Sequence, residues 1–588
     1  MSKRAFSKII LSETIRKLRA LLSRSEKQSC IAIVPITIVG AGIDMLMVGL
    51  IPVTVAIVGD PSRLQRIPFM GSSPALSGDI SELRLLLYAT LLIFLIGCLK
   101  ITYFFVSNCF IINSCRAIRV RLSTKLLESY MSAPWAFHVN ASKPELLRNV
   151  ASDTREIVIG VIQPLINASH GLIFSILILI AMTVALPYKV IVIFIMTAVA
   201  VVGALNILSG YLRGQGEKAK YQYKQVIRDI QEALGNFVEA QVYGRKGWFV
   251  ERFSKRVFGF ALAQDKMQLV SRMIPDVMEL VSLMSVLTLI IILTRTTGDI
   301  VSVLPEITLI AVGAVRLRQA TTLLTSAIAQ IQFSSPSLDH IYDDFERLPS
   351  RSIKASPSME RIPFRESIKI SDVSFDYPES ETPALRNVNL NIRKGQSIAF
   401  IGETGCGKST LLRILLGLHL PTSGKVLVDG ADIHENLQGW RANIGYVPQT
   451  VFLLDGSISD NIAFGIETEE IDLESLKRSI ETANLSELID SLPDGIDTKL
   501  GDNGSKLSGG QCQRIGIARA VYFKPDVLVL DEATSALDHH TELRVLSGLE
   551  SLSWRPTIIF VTHRVKAVEA FDEVIEMQAS NVPSEAGP

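Results

Sequence analysis

The amino-acid sequence predicts two domains of different class, an all-α membrane domain followed by an α/β domain with a largely parallel sheet. Long apolar runs fill the N-terminal half, while short β-rich and helical runs alternate in the C-terminal half. With 588 residues, the chain exceeds the roughly 250–300 residues at which single cores stop growing. Hydrophobic residues make up 48% and charged residues 20%, an average that fits one membrane half and one water-soluble half.

Charge and cysteine content narrow the possible partners. The formal net charge is +1, so no global field attracts the chain to nucleic acid, and we expect no nucleic-acid partner. The six cysteines show no metal-like CxxC spacing. Two of them, Cys406 and Cys512, lie among residues that we assign below to phosphate binding. We therefore expect reduced thiols in a cytoplasmic setting.

Residues 1–30 are basic and amphipathic and lack a small-residue cleavage site, so we expect an interfacial elbow helix rather than a signal peptide. Residues 31–333 form the predicted transmembrane domain, in which each span needs about 20 apolar residues to cross about 30 Å of hydrocarbon. Arg316 and Arg318 interrupt the last of the spans. The six predicted spans are Ile31–Val58, Leu83–Ile112, Ile157–Leu186, Val190–Leu212, Ile274–Leu293 and Ile300–Ile331.

The distribution of Lys and Arg predicts the orientation of these spans. The long segments 113–156 and 213–272 are rich in Lys and Arg, whereas the connectors 187–189 and 294–299 are short. Both long segments and both chain termini are then cytoplasmic. Because the long segments are also helical in pattern, we expect the spans to continue as helices into the cytoplasm.

The pattern changes after the sixth span. Residues 334–366 are polar and contain several prolines, so we predict a linker. Residues 367–588 alternate strand-like runs such as SIAFIG, VLVLDEA and TIIFVTH with helical ones. This alternation predicts an α/β domain.

A glycine-rich loop follows the strand-like run SIAFI and precedes a helical run. It comprises Gly402, Glu403, Thr404, Gly405, Cys406, Gly407, Lys408, Ser409 and Thr410. Glycines let successive backbone N–H groups surround a phosphate at a helix N-terminus. Lys408 would pair with the β- and γ-phosphates of ATP, and the Ser409 hydroxyl would ligate Mg²⁺. The strand–loop–helix context disfavours a chance glycine-rich turn and predicts a P-loop NTPase domain.

Two carboxylates follow a second buried strand. VLVLDEA places Asp531 and Glu532 after four apolar residues. A carboxylate at the end of a strand can hold the metal and its water shell, and the next one can act as general base on the attacking water. By itself such a pair is usually a solvated loop, but a P-loop in the same domain favours the catalytic interpretation.

A third motif, LSGGQ, begins a helix and provides a second anion-binding helix terminus. It contains Ser508, Gly509, Gly510 and Gln511, whose hydroxyl and backbone N–H groups suit a phosphate. With these motifs the C-terminal domain resembles the ATP-binding cassette (ABC) family. In that family LSGGQ of one domain closes over the ATP held by the P-loop of another, so the resemblance implies a second subunit. We expect a homodimer, with a heterodimer as the alternative.

The resemblance assigns four further residues. Tyr377 matches the aromatic residue that stacks on adenine, with a core tyrosine beside Phe375 as the alternative. Gln449 matches the glutamine that reaches Mg²⁺ and the attacking water. Asp538 matches a residue in the loop that crosses the dimer interface. His563 matches the histidine that acts as the γ-phosphate switch. A lone histidine after a strand is otherwise more often structural. Catalysis would then depend on Glu532, His563 and Gln449, with Ser409, Gln449 and Asp531 at the metal.

Two positions depart from the family pattern. Cys512 stands where Arg or Gln is common after LSGGQ, and Asp502 replaces the usual Glu in a segment linked to the membrane domain. Neither change removes a catalytic group.

Six spans ahead of one cassette resemble the exporter-type half-transporters, with a type IV exporter-like fold and a cytoplasmic cassette in the inner or plasma membrane. The resemblance places short transverse helices that dock on the cassettes in loops 131–142 and 235–248. Phe137, Tyr243 and Gly244 are the residues expected at those contacts. Buried loop aromatics are the alternative.

The stretches LSTKLLESYMSAPWAFHVNASKPELLRNVASDT and IAVGAVRLRQATTLL resemble those of the flippases of lipid-linked oligosaccharides and related glycan-export ATPases. Asp44, Lys100 and Arg316 each interrupt an apolar span, and intramembrane charge indicates a cavity or a partner. Arg316 could bind an anionic lipid phosphate bidentately. As alternatives, Asp44 and Lys100 could be a structural ion pair, and Arg316 could lie in the cytoplasmic extension of its helix.

The sequence thus predicts an ATP-hydrolysing translocase with alternating access whose substrate is a lipid-linked oligosaccharide or a related glycolipid. A multidrug, peptide or lipid exporter of the same architecture is the second hypothesis. A membrane-bound regulator that binds ATP without turnover is the third. It ranks last because Lys408, Glu532 and His563 are all present.

Overall fold

The computed structural model describes residues 3–59, 82–185, 188–297, 304–348, 361–377, 382–501, 504, 506–564, 571–578 and 583–585. These residues form two compact units. One is helical and comes mainly from the N-terminal part of the chain, and the other is α/β and comes mainly from the C-terminal part.

Long helices dominate the helical unit. The α-helices are α1 (Lys3–Leu21), α2 (Arg24–Gly59), α3 (Glu82–Met131), α4 (Trp135–Asn140), α5 (Lys143–Arg148), α6 (Thr154–Ile157), α7 (Gln163–Ala185), α8 (Tyr188–Gly235), α9 (Phe237–Val242), α10 (Lys246–Thr297) and α11 (Leu304–Arg347). Two π-helical turns, Asn149–Asp153 and Val158–Ile162, lie on either side of α6.

Five of the predicted spans each coincide with part of one α-helix, and the third runs from the end of α6 through the second π-helical turn into α7. Residue 186 and residues 300–303 of the predicted spans lie outside the described part of the chain. Loop 59–82 also lies outside it, except for its two end residues. Arg316 and Arg318 do not interrupt α11. Among the described residues, three stretches are long and apolar enough to cross a membrane: Arg24–Leu50, Thr90–Met131 and Lys143–Ala181.

The prediction of a linker over residues 334–366 is wrong at both ends. Helix α11 continues to Arg347 although it contains Pro336. Leu338 and Ile341 are fully buried there, so packing of an apolar helix face outweighs the helix-breaking tendency of the proline. At the other end, Phe364 is buried in the core of the α/β unit.

Helix α1, expected as an elbow, packs into one of the cores of the helical unit. Leu18 lies in the same apolar cluster as Leu122 of α3 and Ile341 of α11. The Lys17 ammonium lies 2.7 Å from the Asp339 carboxylate of α11. Apolar packing and an ion pair therefore both attach α1 to α11.

The α/β unit contains two sheets. The strands of this unit are β1 (Ser367–Phe375), β2 (Leu385–Arg393), β3 (Ser397–Gly402), β4 (Ser423–Val428), β5 (Ala431–Asp432), β6 (Ile444–Val447), β7 (Val527–Asp531), β8 (Thr557–Val561), β9 (Glu573–Met577) and β10 (Pro583–Glu585). The smaller sheet is antiparallel with the order β2-β1-β4-β5, and the larger sheet has the order β10-β9-β3-β8-β7-β6. The α-helices of this unit are α12 (Lys408–Leu415), α13 (Leu437–Arg441), α14 (Ile458–Ile462), α15 (Leu473–Thr482), α16 (Ser486–Asp490), α17 (Gly509–Tyr522) and α18 (His539–Glu550).

The larger sheet has the parallel strands that the sequence predicts. β9, β3, β8, β7 and β6 pair in parallel, and only β10 is antiparallel. Strands β7 and β8 are apolar without alternation because both faces of a parallel sheet are covered. The carboxyl ends of β3, β8, β7 and β6 therefore lie at one edge of the sheet, where ligands bind in open α/β folds.

Candidate nucleotide site

The phosphate loop connects β3 to α12 at this edge. Its glycines Gly402, Gly405 and Gly407 have φ angles of 143°, 90° and 103°, which L side chains rarely adopt. A Cβ atom on Gly402 would lie 2.3 Å from the carbonyl oxygen of Met577. Gly407 precedes α12 without a side-chain cap, so the first N–H groups of that helix are available to an anion. The loop therefore fits a phosphate group.

Lys408 is buried within this loop. Its side-chain Nζ donates to the carbonyl oxygens of Gly402 at 2.6 Å and Glu403 at 2.8 Å, and it is 3.5 Å from the Cys406 sulfur. Ser409 is exposed at the start of α12. The ammonium is thus held by neutral carbonyl groups, which an anionic ligand could replace as partners.

Tyr377 lies next to the phosphate loop. Its hydroxyl is 3.2 Å from the Thr410 hydroxyl and accepts a hydrogen bond from Arg413 at the same distance. Its ring also makes an edge contact with Phe375, with centroids 5.0 Å apart, so the alternative of a tyrosine beside Phe375 describes part of its surroundings. Sequence analysis missed Arg413, which lies one helical turn after Ser409.

Glu532 contacts both of the other predicted catalytic residues. The Gln449 amide donates to Glu532 Oε2 at 2.8 Å, and His563 Nε2 lies 2.9 Å from Glu532 Oε1. These residues come from loops that follow β6, β7 and β8, which are adjacent in the sheet. Glu532 also has a φ of 49°, a left-handed conformation that is uncommon for a residue with a side chain.

Asp531 ends β7 beside this cluster and is half-buried. Burial raises its pKa, and the neighbouring Glu532 acts in the same direction, whereas Arg413 and Lys408 act against it. Burial also raises the pKa of Tyr446, on the adjacent strand β6, to about 12. A bound cation would oppose both of the effects that raise the pKa of Asp531, so this position suits a cation ligand.

The LSGGQ residues lie at the start of α17. The Ser508 hydroxyl accepts from the Gln511 N–H at 3.3 Å, and the Gln511 side chain accepts from the Ser508 N–H at 2.7 Å. Asp538 caps α18 by accepting from the Thr541 N–H at 3.0 Å. In the described part of the chain, no hydrogen bond joins Ser508, Gly509 or Gly510 to the phosphate loop. Asp502 lies outside the described residues.

The three charged residues that were expected at a substrate cavity have partners within the chain. Lys100 Nζ is 2.5 Å from Asp44 Oδ1. His170 of α7 lies 3.8 Å from the other Asp44 oxygen. Sequence analysis missed His170, although it is an ionisable residue in an apolar run, which is the signal that identified Lys100. Arg316 donates to the Gln319 side chain at 3.0 Å. The structure therefore brings Asp44 and Lys100 together, as the ion-pair alternative expects.

Short helices occur in both loops expected to carry transverse helices, α4 in loop 131–142 and α9 in loop 235–248. Phe137 stacks on Tyr130 with centroids 5.8 Å apart, whereas Tyr243 is 73% exposed. Gly244 follows with a φ of 65°. The Tyr243 side chain is thus available to a partner, whereas the Phe137 ring already contacts Tyr130 within its own unit.

A polar cavity of about 390 Å³ lies among α8, α10, α11 and the first π-helical turn. Lys220 in its wall is 2.9 Å from Asp153, and Arg148 is 3.4 Å from the same carboxylate. Glu156 accepts a hydrogen bond from Ser334 at 2.5 Å. The polar lining also includes Gln264, Gln268, Gln330 and Ser337, and Phe260, Met267 and Phe333 add apolar surface.

Comparison with curated proteins finds several relatives that are named as transporters. ABC transporter B family member 29, chloroplastic, of Arabidopsis thaliana is 38% identical over 246 residues, which are 42% of this chain and 39% of that protein. The ATP-dependent lipid A-core flippase of Francisella tularensis subsp. tularensis (strain FSC 198) is 31% identical over 393 residues, 64% of this chain and 62% of that protein. The chain thus spans less than two thirds of the length of these relatives.

The fold has a solved counterpart, described as the structure of a bacterial Atm1-family ABC exporter with ATP bound. The TM-score is 0.79, and the match covers 96% of this chain and 95% of that chain at 20% identity. Residues 32–303 match the family described as ABC transporter transmembrane region, and residues 385–535 match the family described as ABC transporter. Together these two matches cover more than half of the sequence. The chain therefore belongs to the ABC transporter family, with a transmembrane region ahead of a nucleotide-binding domain.

Proposed function

We propose that this protein hydrolyses ATP and uses the energy to export or flip an amphipathic molecule across a membrane. The observation that carries the hydrolytic part is the position of Glu532, which contacts both Gln449 and His563 at the sheet edge where the phosphate loop also begins. A carboxylate held between a donor and a histidine beside an anion-binding loop suits a general base for water attack on a phosphate.

Each residue of the site has a role in this mechanism. Lys408 exchanges its carbonyl partners for the β- and γ-phosphates, and Tyr377 stacks on adenine. Ser409, Gln449 and Asp531 would hold Mg²⁺, which supplies positive charge to the phosphate oxygens when bound. Glu532 accepts a proton from the attacking water. His563 holds the γ-phosphate as the Glu532 contact is released.

The second wall of the site comes from another copy of the chain. Ser508 and the N–H groups of Gly509 and Gly510 would bind the γ-phosphate of the partner's ATP, and Asp538 would lie at the dimer contact. The lack of hydrogen bonds between these residues and the phosphate loop in the described part of one chain supports a shared site. A homodimer would contain two such sites, each closed by ATP.

The transported molecule in this proposal is a lipid-linked oligosaccharide or a related glycolipid in the inner or plasma membrane. Relatives named lipid A-core flippases support a lipid substrate. The polar cavity supports it as well, because Gln264, Gln330 and Ser334 offer hydrogen-bonding groups to a sugar or phosphate headgroup while Phe260 and Phe333 offer apolar surface.

The short helices α4 and α9 would transmit the closure of the nucleotide-binding domains to the membrane spans.

A second candidate, an exporter of drugs, peptides or apolar lipids, is favoured by a different observation. Asp44 is paired with Lys100, and Arg316 is bonded to Gln319. Charges that satisfy each other within the chain do not require an anionic substrate. For this candidate Arg316→Ala should not affect transport, and hydrophobic drugs should stimulate ATP hydrolysis.

The test uses the full chain in proteoliposomes with fluorescently labelled polyprenyl-linked saccharide. We expect ATP-dependent flipping and ATP hydrolysis that both fall at least about 100-fold in Glu532→Gln, as for loss of a general base. Flipping at the full rate in Glu532→Gln would contradict the mechanism. Hydrolysis without flipping of any glycolipid would transfer support to the second candidate.

A further inference from the structure

Gln513 lies on α17 just beyond the LSGGQ motif and is 5% exposed. Its side-chain amide contacts the loop that follows β7 at three points. Nε2 donates to the Ser535 hydroxyl at 3.0 Å and to the Glu532 carbonyl oxygen at 3.4 Å. Oε1 accepts from the Ala536 N–H at 2.9 Å. One buried side chain thus satisfies polar groups along five residues of this loop, which begins with Glu532.

This loop needs an external support. Glu532 has a left-handed backbone, with a φ of 49°, and such a conformation persists only where the surroundings hold it. Its N–H donates to Val561 on β8 at 3.0 Å, which anchors one side of the residue. Gln513 contacts its carbonyl oxygen on the other side. The direction of the Glu532 side chain therefore depends on both anchors.

The first turn of α17 packs on the same loop. A Cβ atom on Gly510 would lie 2.9 Å from the carbonyl oxygen of Ala536, so no side chain separates the helix from the loop. Gln513 lies about one turn further along the same helix. Its amide can therefore span the distance to the loop without displacing the helix.

We infer that Gln513 is a positioning residue for ATP hydrolysis, holding the Glu532 backbone so that the carboxylate is directed at the attacking water. This inference rests on the proposed role of Glu532 as general base. Gln513 acts through Glu532 and does not touch the nucleotide. Its loss should therefore lower the rate of the chemical step and leave ATP binding intact.

The test measures ATPase kinetics of the full-length protein in proteoliposomes. Gln513→Met keeps the volume and removes all three hydrogen bonds. We expect kcat to fall about 10-fold or more, with the KM for ATP within about twofold of wild type. In a Glu532→Gln background, measured in single turnover with radiolabelled ATP, Gln513→Met should cause no further loss, because its effect passes through Glu532.

Control variants distinguish positioning from general stability. Arg514→Met removes another α17 hydrogen bond, the one to the Asn484 carbonyl at 2.6 Å, and should lower the thermal stability without changing kcat. Should Gln513→Met fail to fold, Gln513→Glu keeps the acceptor for Ala536 and loses both donors, and Ser535→Ala removes one partner; both should lower kcat.

An unchanged kcat in the folded variants, or a loss that adds fully to that of Glu532→Gln, would overturn the inference. Retention of hydrolysis in Glu532→Gln alone would instead contradict the proposed function. The two failures are therefore distinguishable.

Discussion

At the scale of single residues, the Glu532 carboxylate is the centre of the candidate site. Gln449 contacts one of its oxygens and His563 contacts the other, so both oxygens have a partner within the chain. A carboxylate with two such contacts is oriented before the water arrives, which lowers the reorganisation that catalysis requires. The same contacts must loosen when a phosphate attracts His563.

We predict that His563→Ala lowers the kcat of ATP hydrolysis about 100-fold and changes the KM for ATP little, because the side chain acts on the γ-phosphate and on Glu532 rather than on the adenine ring. Steady-state ATPase assays of the full chain provide the measurement. His539→Ala is the matched control, since His539 is exposed on α18. Equal activities of the two variants would contradict the role of His563.

Lys220 in the polar cavity should make stability depend on pH. Burial lowers its pKa from 10.5 to about 8, and Arg148 adds to the shift while Asp153 opposes it. Between about pH 8 and pH 10.5 the unfolded chain retains a proton that the folded chain has lost. The unfolded state then binds more protons, so the Lys220 contribution to the free energy of unfolding rises with pH in this window.

Lys220→Met should remove that rise. The measurement is the Tm of wild type and variant in detergent from pH 7 to pH 10.5, compared as a difference so that other groups cancel. Parallel Tm curves would show that Lys220 does not titrate in this window.

At the scale of elements, close glycine contacts set the packing of the long helices. A Cβ atom on Gly216 of α8 would lie 2.0 Å from the carbonyl oxygen of Phe333 on α11. A Cβ atom on Gly160, in the second π-helical turn, would lie 2.1 Å from the Ser334 hydroxyl oxygen. The backbones approach this closely only because neither position has a side chain.

Gly216→Ala should therefore separate α8 from α11 and destabilise the helical unit by about 1–3 kcal/mol, as overpacking does. Thermal unfolding in detergent would measure the loss. Gly214→Ala, two residues away on the same helix with no atom within 4 Å of the added Cβ, is the control and should leave the Tm unchanged or slightly raised. A lower Tm for Gly214→Ala than for Gly216→Ala would refute this packing account.

At the scale of the whole molecule, the proposed shared site can be tested by mixing two inactive variants. Lys408→Ala damages the phosphate loop and Ser508→Arg damages the LSGGQ wall. In a mixed dimer, the Lys408→Ala phosphate loop faces the Ser508→Arg motif of the other chain, so one site carries both defects. The other site combines an unchanged phosphate loop with an unchanged LSGGQ motif and is intact. We expect mixtures to recover ATP hydrolysis that neither variant shows alone, because the two walls come from different chains.

The control mixes Lys408→Ala with Glu532→Gln. Each of these chains damages its own ATP site, so the mixed dimer has no intact site and should stay inactive. Recovery in the control, or none in the Lys408→Ala and Ser508→Arg mixture, would argue against a site shared between subunits.

The sequence by itself determined the two domain classes, the chain positions of the motifs and the chemistry of the phosphate loop. These depend on local signals, since apolar runs of membrane length, strand–loop–helix order and left-handed glycines are all encoded within a few residues. The course of α11 past Pro336 was not readable in this way, because buried Leu338 and Ile341 hold that helix through contacts distant in sequence.

Only the tertiary structure decided which distant side chains meet. It paired Asp44 with Lys100 and added His170, gathered Gln449 and His563 around Glu532, and placed Gln513 behind the Glu532 backbone. The physical reason is that helix packing and the order of parallel strands bring together residues tens or hundreds of positions apart. A motif predicts which chemical groups a site can use, and the packed fold determines which of these groups are in contact.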